Sequence, residues 1–247
     1  MRVWDIYPAI DLRYGEVVRL KQGDPNRAKT YETDPLRAAQ RWKDAGARWI
    51  HVVNLDGALD ESGQANEKAL ERIVTVGVPI QFGGGIRDMP TLQQALDLGV
   101  SRVVIGTAAV ETPQLVTGGL AQFGPERIAV GIDAHRGKVR THGWASSTEF
   151  SAVDFARHWA DQGLRWTIFT DVARDGMGSG LNIESTAQLA RQSGLNVIAS
   201  GGVDSLRDVQ AAYDAGLSGC IIGRALYEGR VDLEQALGVG KGGDHVG

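Results

Sequence analysis

The chain has 247 residues, 43% of them hydrophobic, and a formal net charge of −4. This weak negative charge argues against nucleic acid or an anionic membrane surface as a partner, and the single cysteine, Cys220, excludes an intrachain disulfide. The chain has no apolar run of about 18 residues and no apolar signal-peptide region near its N-terminus, so we expect no membrane span and a cytoplasmic location.

Short apolar segments recur along the chain and predict eight β-strands. They lie at residues 4–10, 49–55, 79–82, 102–105, 128–132, 166–170, 196–199 and 219–222. Stretches with helical periodicity lie between them, among them 35–44, 66–74, 90–98, 152–162, 183–192 and 205–215. Strictly alternating strands and helices imply a parallel sheet, and eight units in about 250 residues imply that the sheet closes. We therefore predict an α/β fold, a single (β/α)8 TIM barrel over residues 1–247, with residues 241–247 disordered.

Residues at the ends of the predicted helices support these boundaries. Asp34 precedes Pro35 and is typical of an N-cap followed by proline in the first helical turn, and Asp204 or Ser205 can cap the helix at 205–215. Glycines that suit a left-handed helix end follow five of the predicted helices, at positions 46, 99, 163, 194 and 216.

An internal repeat organises the chain. A shift of 117 residues places segment 46–108 on segment 163–225 without a gap, so that Gly84-Gly85 falls on Gly201-Gly202. Ile10-Asp11 also matches Ile132-Asp133, at a shift of 122, so the first half carries five extra residues in the loop after its first strand. Because similar βα units alone would not produce one constant shift, we predict two half-barrels, at about residues 1–124 and 125–240.

Two aspartates are the candidate catalytic pair. Asp11 ends the first predicted strand and Asp133 ends the fifth, which lies opposite in an eight-stranded ring. Active sites of such barrels lie at the carboxyl ends of the strands, so the two carboxylates should face each other and divide acid and base roles. Either aspartate alone would more often cap a loop or pair with an arginine, but their matching places in the two halves favour catalysis.

Glycine-rich turns follow four of the predicted strands and are candidate phosphate sites. Backbone N–H groups at such turns, with a helix N-terminus behind them, bind anions. The candidates are Gly84, Gly85, Gly106 and Thr107 in the first half and Gly201, Gly202, Gly223 and Arg224 in the second. Glycine also eases a strand-to-helix turn, but four motifs in register favour two phosphate sites and therefore a substrate with a phosphate at each end.

Four further residues are weaker candidates for substrate contact. Thr170 ends the sixth strand and could orient an aspartate, and Trp144 lies in the loop after the fifth strand and could stack on a planar ring. His51 lies on the second strand, where histidine is more often a core residue, and Arg19 lies in the first loop, where solvated charge is an equal alternative. The spacing of histidines, with one cysteine, predicts no metal site.

Six motifs together resemble those of the ProFAR isomerase family of histidine biosynthesis (phosphoribosylformimino-5-aminoimidazole carboxamide ribotide isomerase). They are Pro8-Ala9-Ile10-Asp11-Leu12, Gly83-Gly84-Gly85-Ile86-Arg87, Gly131-Ile132-Asp133-Ala134, Thr170-Asp171 with Arg174-Asp175-Gly176, Ala199-Ser200-Gly201-Gly202-Val203 and Gly223-Arg224-Ala225-Leu226-Tyr227. The resemblance runs from about Val3 to Leu237.

The resemblance implies an Amadori rearrangement, which turns an aminoaldose into an aminoketose. It assigns Asp11 as the general base and Asp133 as the general acid that opens the ribose ring, with Thr170 supporting Asp133 and Asp175 near the substrate. Since the aldose-to-ketose shift needs only proton transfers, it implies no cofactor. We expect a small-molecule substrate with two phosphates, no nucleic-acid or membrane partner, and a monomer.

Three alternatives stay open. The related cyclase usually has Cys-Leu-Asp where this chain has Ala9-Ile10-Asp11, and a longer segment after the fifth strand, so both differences favour the isomerase. A dual-specificity relative also isomerises phosphoribosylanthranilate and tends to have Ser-Gly-Gly where this chain has Gly83-Gly84-Gly85. A non-catalytic binding module is the third, and opposed carboxylates argue against it because they would repel an anionic ligand.

Overall fold

A computed structural model describes residues 3–21, 24–175 and 180–240. Twelve strands lie in these ranges: β1 (Asp5–Arg13), β2 (Glu16–Lys21), β3 (Asp24–Glu32), β4 (Ile50–Asn54), β5 (Ile80–Gly83), β6 (Arg102–Ile105), β7 (Ile128–His135), β8 (Lys138–Thr141), β9 (Ser146–Ser151), β10 (Trp166–Asp171), β11 (Asn196–Ser200) and β12 (Gly219–Ile222). The predicted disorder of residues 241–247 lies outside the described residues.

Eight of these strands form a closed parallel ring. The order around it is β1, β4, β5, β6, β7, β10, β11, β12, with β12 pairing back onto β1. The two halves meet at two seams: β6 lies beside β7, where Val104 pairs with Ala129, and β12 lies beside β1, where Pro8 pairs with Ile222. All eight strand predictions and the TIM-barrel fold are confirmed.

Eleven helices lie in the described ranges: α1 (Pro35–Asp44), α2 (Leu55–Ala58), α3 (Gln64–Val74), α4 (Met89–Asp97), α5 (Ala108–Glu111), α6 (Pro113–Phe123), α7 (Ala152–Asp161), α8 (Ile183–Ser193), α9 (Leu206–Asp214), α10 (Arg224–Tyr227) and α11 (Leu233–Gly238). The six predicted helices are among them. Asp34 caps α1 by accepting from the Leu36 N–H, and Ser205 forms a capping box with Asp208 on α9. Of the two caps suggested for α9, Ser205 is therefore correct.

The ring has two faces, and both are buried. Alternate strand residues point inward, and a small cluster that includes Tyr7, Val104, Ile168 and Ile198 fills the barrel. The larger cluster, which includes the fully buried Trp159, lies between the strands and the surrounding helices. Because both faces are covered, the strands are almost continuously apolar, which is why they were recognisable in the sequence.

The segments after the first and fifth barrel strands were predicted as loops, and this is wrong. Residues 16–21 and 24–32 form an antiparallel hairpin, β2 and β3, on the end of β1, and residues 138–151 form β8 and β9 on the end of β7. In β3, residues 27–30 are exposed. The outer strands β3 and β9 have no buried residue among those whose burial is described. Such strands show no apolar alternation in the sequence, so pairing with the neighbouring strand decides their conformation.

The hairpins also change where the two candidate aspartates lie. Asp11 and Asp133 do not end their strands, because β1 and β7 each continue for two residues beyond them. Asp11 pairs with Val18 of β2, and Asp133 pairs with Arg140 of β8. Each carboxylate therefore lies where a barrel strand passes into an antiparallel hairpin, and its backbone is held on both sides.

No helix in the described ranges is both long and apolar enough to cross a membrane.

We expect the N-cap of α4 to contribute measurably to stability. The Asp88 side chain accepts a hydrogen bond from the Thr91 N–H at 2.8 Å. Asp88→Ala should lower the free energy of unfolding by about 1 kcal/mol, whereas Asp88→Asn, which keeps a capping oxygen, should lower it much less. Urea denaturation of both variants measures the difference, and equal losses would contradict a capping role.

Candidate functional site

A cavity of about 260 Å³ opens at the carboxyl ends of the barrel strands. A smaller cavity of about 40 Å³ adjoins it, and the two share Arg19, Asp175, Ser200 and Ile221 as lining residues. The candidate residues on the large cavity are Asp11, Arg19, His51, Gly84, Gly85, Gly106, Thr107, Asp133, Trp144, Thr170 and Asp175. Gly201, Gly202, Gly223 and Arg224 line the small one. The structure therefore brings every residue proposed from the sequence to one continuous site.

Arg19 links two carboxylates across this site. It was predicted in a loop, but it lies on β2, and the hairpin turns its side chain back over the barrel mouth. Its guanidinium donates to Asp11 Oδ2 at 2.7 Å and to Asp175 Oδ2 at 2.6 Å. Although burial lowers the pKa of Arg19, the adjacent carboxylates of Asp175 and Asp11 raise it above its usual value. Arg19 thus supplies the counter-charge for both carboxylates and forms the wall between the two cavities.

Asp133 has a different environment. Burial raises the pKa of its carboxyl, and the nearby charge of Asp175 adds to that rise. Hydrogen bonds from the side chains of Thr170 and Trp144 act in the opposite direction and lower the pKa of Asp133. Thr170 reaches Asp133 because β7 and β10 pair with these two residues in register. The net rise favours the protonated acid, whereas Asp11 lies against a guanidinium, so the two carboxyl groups are chemically unlike.

Trp144 lies after the fifth barrel strand and lines the large cavity, so stacking on a planar ring stays a prediction. It lies in the turn between β8 and β9 with a φ of 77°, and its side chain hydrogen-bonds to Asp133. The turn is tied to the other half-barrel, because the His142 N–H donates to Thr107 Oγ1 at 2.9 Å. In this arrangement the indole is a hydrogen-bond donor to a carboxylate.

His51 is buried on β4, and one of its ring nitrogens lies within hydrogen-bonding distance of a side chain on the neighbouring strand β5. Gln81 Nε2 lies 3.0 Å from His51 Nδ1. Burial, together with the charge of Arg19, lowers the pKa of His51 to about 4. The imidazole is therefore neutral near pH 7, and its exposed edge lines the large cavity.

The glycines after β5 permit a close backbone approach. Gly84 and Gly85 have φ of 96° and 79°, and a Cβ on Gly84 would lie 2.2 Å from the Asn54 carbonyl oxygen. Helix α5 begins after Thr107, whose side chain does not cap it. No side chain therefore caps the backbone N–H groups of this turn, which lies beside the cavity, as an anion site requires.

The second half-barrel builds a similar cradle with a different cation. Gly201 and Gly202 have φ of 83° and 95°, and α10 begins after Gly223 without a side-chain cap. Arg224 lines this small cavity, where its guanidinium lies 3.9 Å from Asp204.

Sequence reasoning did not assign Arg87, which follows the glycines of the first cradle and lines the large cavity. At the repeat shift of 117 residues, Arg87 corresponds to Asp204, and Arg224 corresponds to Thr107. Each cradle therefore has one arginine, supplied by a different loop in each half. An arginine directly after a glycine turn was a usable signal for Arg87, whereas the swap between the halves was visible only when both cradles were compared.

Residues 5–232 match the family described as histidine biosynthesis protein. The chain is also similar to three curated proteins, each named 1-(5-phosphoribosyl)-5-((5-phosphoribosylamino)methylideneamino) imidazole-4-carboxamide isomerase. The Granulibacter bethesdensis protein is 48% identical over 94% of this chain and 96% of the relative. The Desulfosudis oleivorans protein is 46% identical over 97% and 96%, and the Symbiobacterium thermophilum protein is 49% identical over 94% and 95%.

Two glycines of the first cradle should respond differently to alanine. Gly84→Ala places a Cβ against backbone at a positive φ and should cost more than about 1 kcal/mol of stability. A Cβ on Gly106 meets nothing within 4 Å, so Gly106→Ala should change stability by less than about 0.5 kcal/mol and act only on the cavity.

Urea denaturation measures the stability of the two variants, and calorimetric titration with inorganic phosphate measures anion binding. We expect Gly106→Ala to weaken phosphate binding while it unfolds like the parent chain. Unchanged phosphate affinity in that variant would remove Gly106 from the anion site.

Proposed function

This chain belongs to the histidine biosynthesis protein family, and on that premise we propose that it is an aldose–ketose isomerase that converts ProFAR to its ribulosyl form. One observation carries the proposal. Asp11 and Asp133, in unlike electrostatic environments, line one cavity that has a glycine cradle on each side. The names of the curated relatives, which are isomerases of a bis-phosphoribosyl compound, support the same substrate.

The cradles suit a substrate with two phosphates. Each combines left-handed glycines, an uncapped helix start and one arginine, Arg87 or Arg224. Binding both phosphates of a long substrate uses contacts remote from the reacting sugar to position that sugar between the carboxyl groups.

Ring opening is assigned to Asp133. The protonated carboxyl donates its proton to the ribose ring oxygen, the bond from C1 to that oxygen breaks, and the lone pair of the amino nitrogen forms C1=N. A carboxyl whose pKa is raised by burial carries the proton that this step consumes. Thr170 and Trp144 then hydrogen-bond to the carboxylate that remains.

Proton transfer between carbons is assigned to Asp11. It removes the proton from C2, the electron pair forms C1=C2, and the C1=N pair returns to nitrogen. Asp11 then delivers its proton to C1 while the C2 hydroxyl returns a proton to Asp133, which leaves a C2 ketone and both aspartates as they began. Arg19 supplies the counter-charge beside Asp11 throughout.

The proposed scheme uses no residue from a second subunit, and a monomer stays a prediction. The three curated relatives named above are isomerases, which favours the isomerase over the cyclase alternative. Activity on phosphoribosylanthranilate stays a prediction to be tested by assay with that compound.

Asp11→Asn and Asp133→Asn should each abolish turnover of ProFAR, because each removes one half of the proton exchange, while the substrate still binds through its phosphates. Steady-state assays and calorimetric titration separate the two effects. A near-parental rate in either variant would overturn the assignment, and binding without turnover by the parent chain would favour a binding module.

The pH profile should identify Asp133 as the acid. Because the reaction needs protonated Asp133, the rate should fall as pH rises through its raised pKa. Thr170→Val removes a hydrogen bond that lowers this pKa, so the alkaline limb should move to higher pH and kcat should fall. Thr170→Ser keeps the hydroxyl and should retain the parental limb, and a limb that stays fixed in Thr170→Val would assign it to another group.

A further inference from the structure

A line of three polar side chains crosses the barrel interior below the large cavity. Arg102 of β6, Gln81 of β5 and His51 of β4 have exposed fractions of 3%, 0% and 8%. Arg102 Nη1 donates to Gln81 Oε1 at 3.2 Å, and Gln81 Nε2 lies 3.0 Å from His51 Nδ1. Burying three polar groups in a barrel core is costly unless they are fully paired, so the line calls for an explanation.

Arg102 sets the direction of the hydrogen bonds along this line. A guanidinium only donates hydrogen bonds, so the Gln81 oxygen must face Arg102 and the Gln81 amide nitrogen must face His51. That nitrogen is a donor, so His51 Nδ1 has to accept. The ring is therefore neutral with its proton on Nε2.

Arg102 is held too firmly to yield. Its guanidinium carbon lies over two indole rings, 3.8 Å from the Trp166 ring centroid and 4.7 Å from that of Trp49, and its Nε donates to the Glu126 carbonyl at 3.1 Å. These contacts hold the Arg102 guanidinium in place, so it remains a hydrogen-bond donor to the Gln81 oxygen.

The second half-barrel lacks the line altogether. At the repeat shift of 117 residues, His51, Gln81 and Arg102 correspond to Ile168, Ile198 and Gly219. The second half therefore packs with two isoleucines and a glycine at these places, and the polar line is specific to the first half.

The opposite edge of the imidazole faces the site. His51 Nε2 has no hydrogen-bond partner among the residues that the structure describes, and His51 lines the large cavity with Asp11, Asp133, Asp175 and Arg19. Arg19 is the cation on this side, and it disfavours a second positive charge on the ring.

We propose that Gln81 and Arg102 are positioning residues that hold His51 as the neutral Nε2–H tautomer, so that His51 donates a hydrogen bond to the C2 oxygen of the substrate sugar. This rests on the proposed isomerase function, in which that oxygen changes from hydroxyl to ketone. His51 lies on β4, directly beside the β1 strand that carries Asp11, with Ala9 as its paired residue. A fixed neutral donor can polarise the forming C2 carbonyl without giving up its own proton.

The tautomer can be measured without substrate. Nitrogen-15 NMR of the histidine-labelled chain, with His51 assigned by comparison with His51→Asn, reports which ring nitrogen carries the proton. We expect protonated Nε2 and unprotonated Nδ1 throughout about pH 6 to 8, because the pKa of His51 is about 4. A proton on Nδ1, or an imidazolium at about pH 6, would overturn the proposal.

Gln81→Glu tests this line of hydrogen bonds, because it replaces the donor that faces His51 with an acceptor. The introduced carboxylate accepts from both neighbours, so Nδ1 becomes protonated and neutral His51 loses the Nε2 proton. At about pH 8, kcat should fall about tenfold to hundredfold with little change in KM. The deficit should shrink at about pH 6, because the imidazolium that the new carboxylate favours again carries an Nε2–H. A purely structural defect would not be relieved at lower pH. A loss of kcat that is independent of pH, or a parental rate at about pH 8, would therefore contradict the proposed positioning of His51 by Gln81.

A matched pair at position 51 tests the donor itself. The amide nitrogen of His51→Gln can reach the place of Nε2, whereas that of His51→Asn reaches only the place of Nδ1. The Gln variant should retain at least about tenfold more activity than the Asn variant at equal thermal stability, and equal activities would refute donation from Nε2. Failure of the parent chain to turn over ProFAR would instead contradict the proposed function, while the NMR measurement tests the tautomer independently.

Discussion

Closure of eight parallel strands into a ring is the constraint on which every other feature depends. Pairing β12 with β1 and β10 with β7 leaves none of the eight barrel strands unpaired, and it brings all eight carboxyl ends to one rim. Residues that are far apart in the chain, such as Asp11 and Asp133, then line one cavity without any loop having to carry them there. The apolar filling of the ring and the helices around it make that rim rigid.

The near-repeat of two half-barrels supplies the symmetry of the site, and departures from it supply the chemistry. Both halves place an aspartate where the first barrel strand passes into a hairpin, glycines after the third barrel strand and an uncapped helix start after the fourth. The halves differ in charge at corresponding positions of the repeat. Arg87 corresponds to Asp204, Thr107 to Arg224, and His51 to Ile168. A symmetric scaffold thus holds two chemically unlike carboxyl groups, which an acid and a base require.

Buried charge in this chain is compensated by named partners. Arg19 lies between Asp11 and Asp175, and Arg102 lies over two indole rings with a carbonyl and an amide as acceptors. Arg19 acts on neighbouring groups through its charge, and in our proposal Arg102 acts on His51 through the direction of its hydrogen bond to Gln81. Burying an arginine costs desolvation free energy. Holding a site residue in one protonation or tautomeric state is a physical reason for buried arginines in a barrel.

The sequence by itself determined the order of the eight barrel strands, the six predicted helices, the glycine turns and the two aspartates, because periodicity, caps and turn chemistry are local and leave a local pattern. Only the tertiary structure decided that residues 16–21 and 24–32 form one hairpin and residues 138–151 another, that Trp144 hydrogen-bonds to Asp133, and that Gln81 Nε2 lies 3.0 Å from His51 Nδ1. Each of these depends on a partner supplied by another element. Arg19 and Asp175 are 156 residues apart, and no local pattern can encode a contact that exists only once the ring has closed.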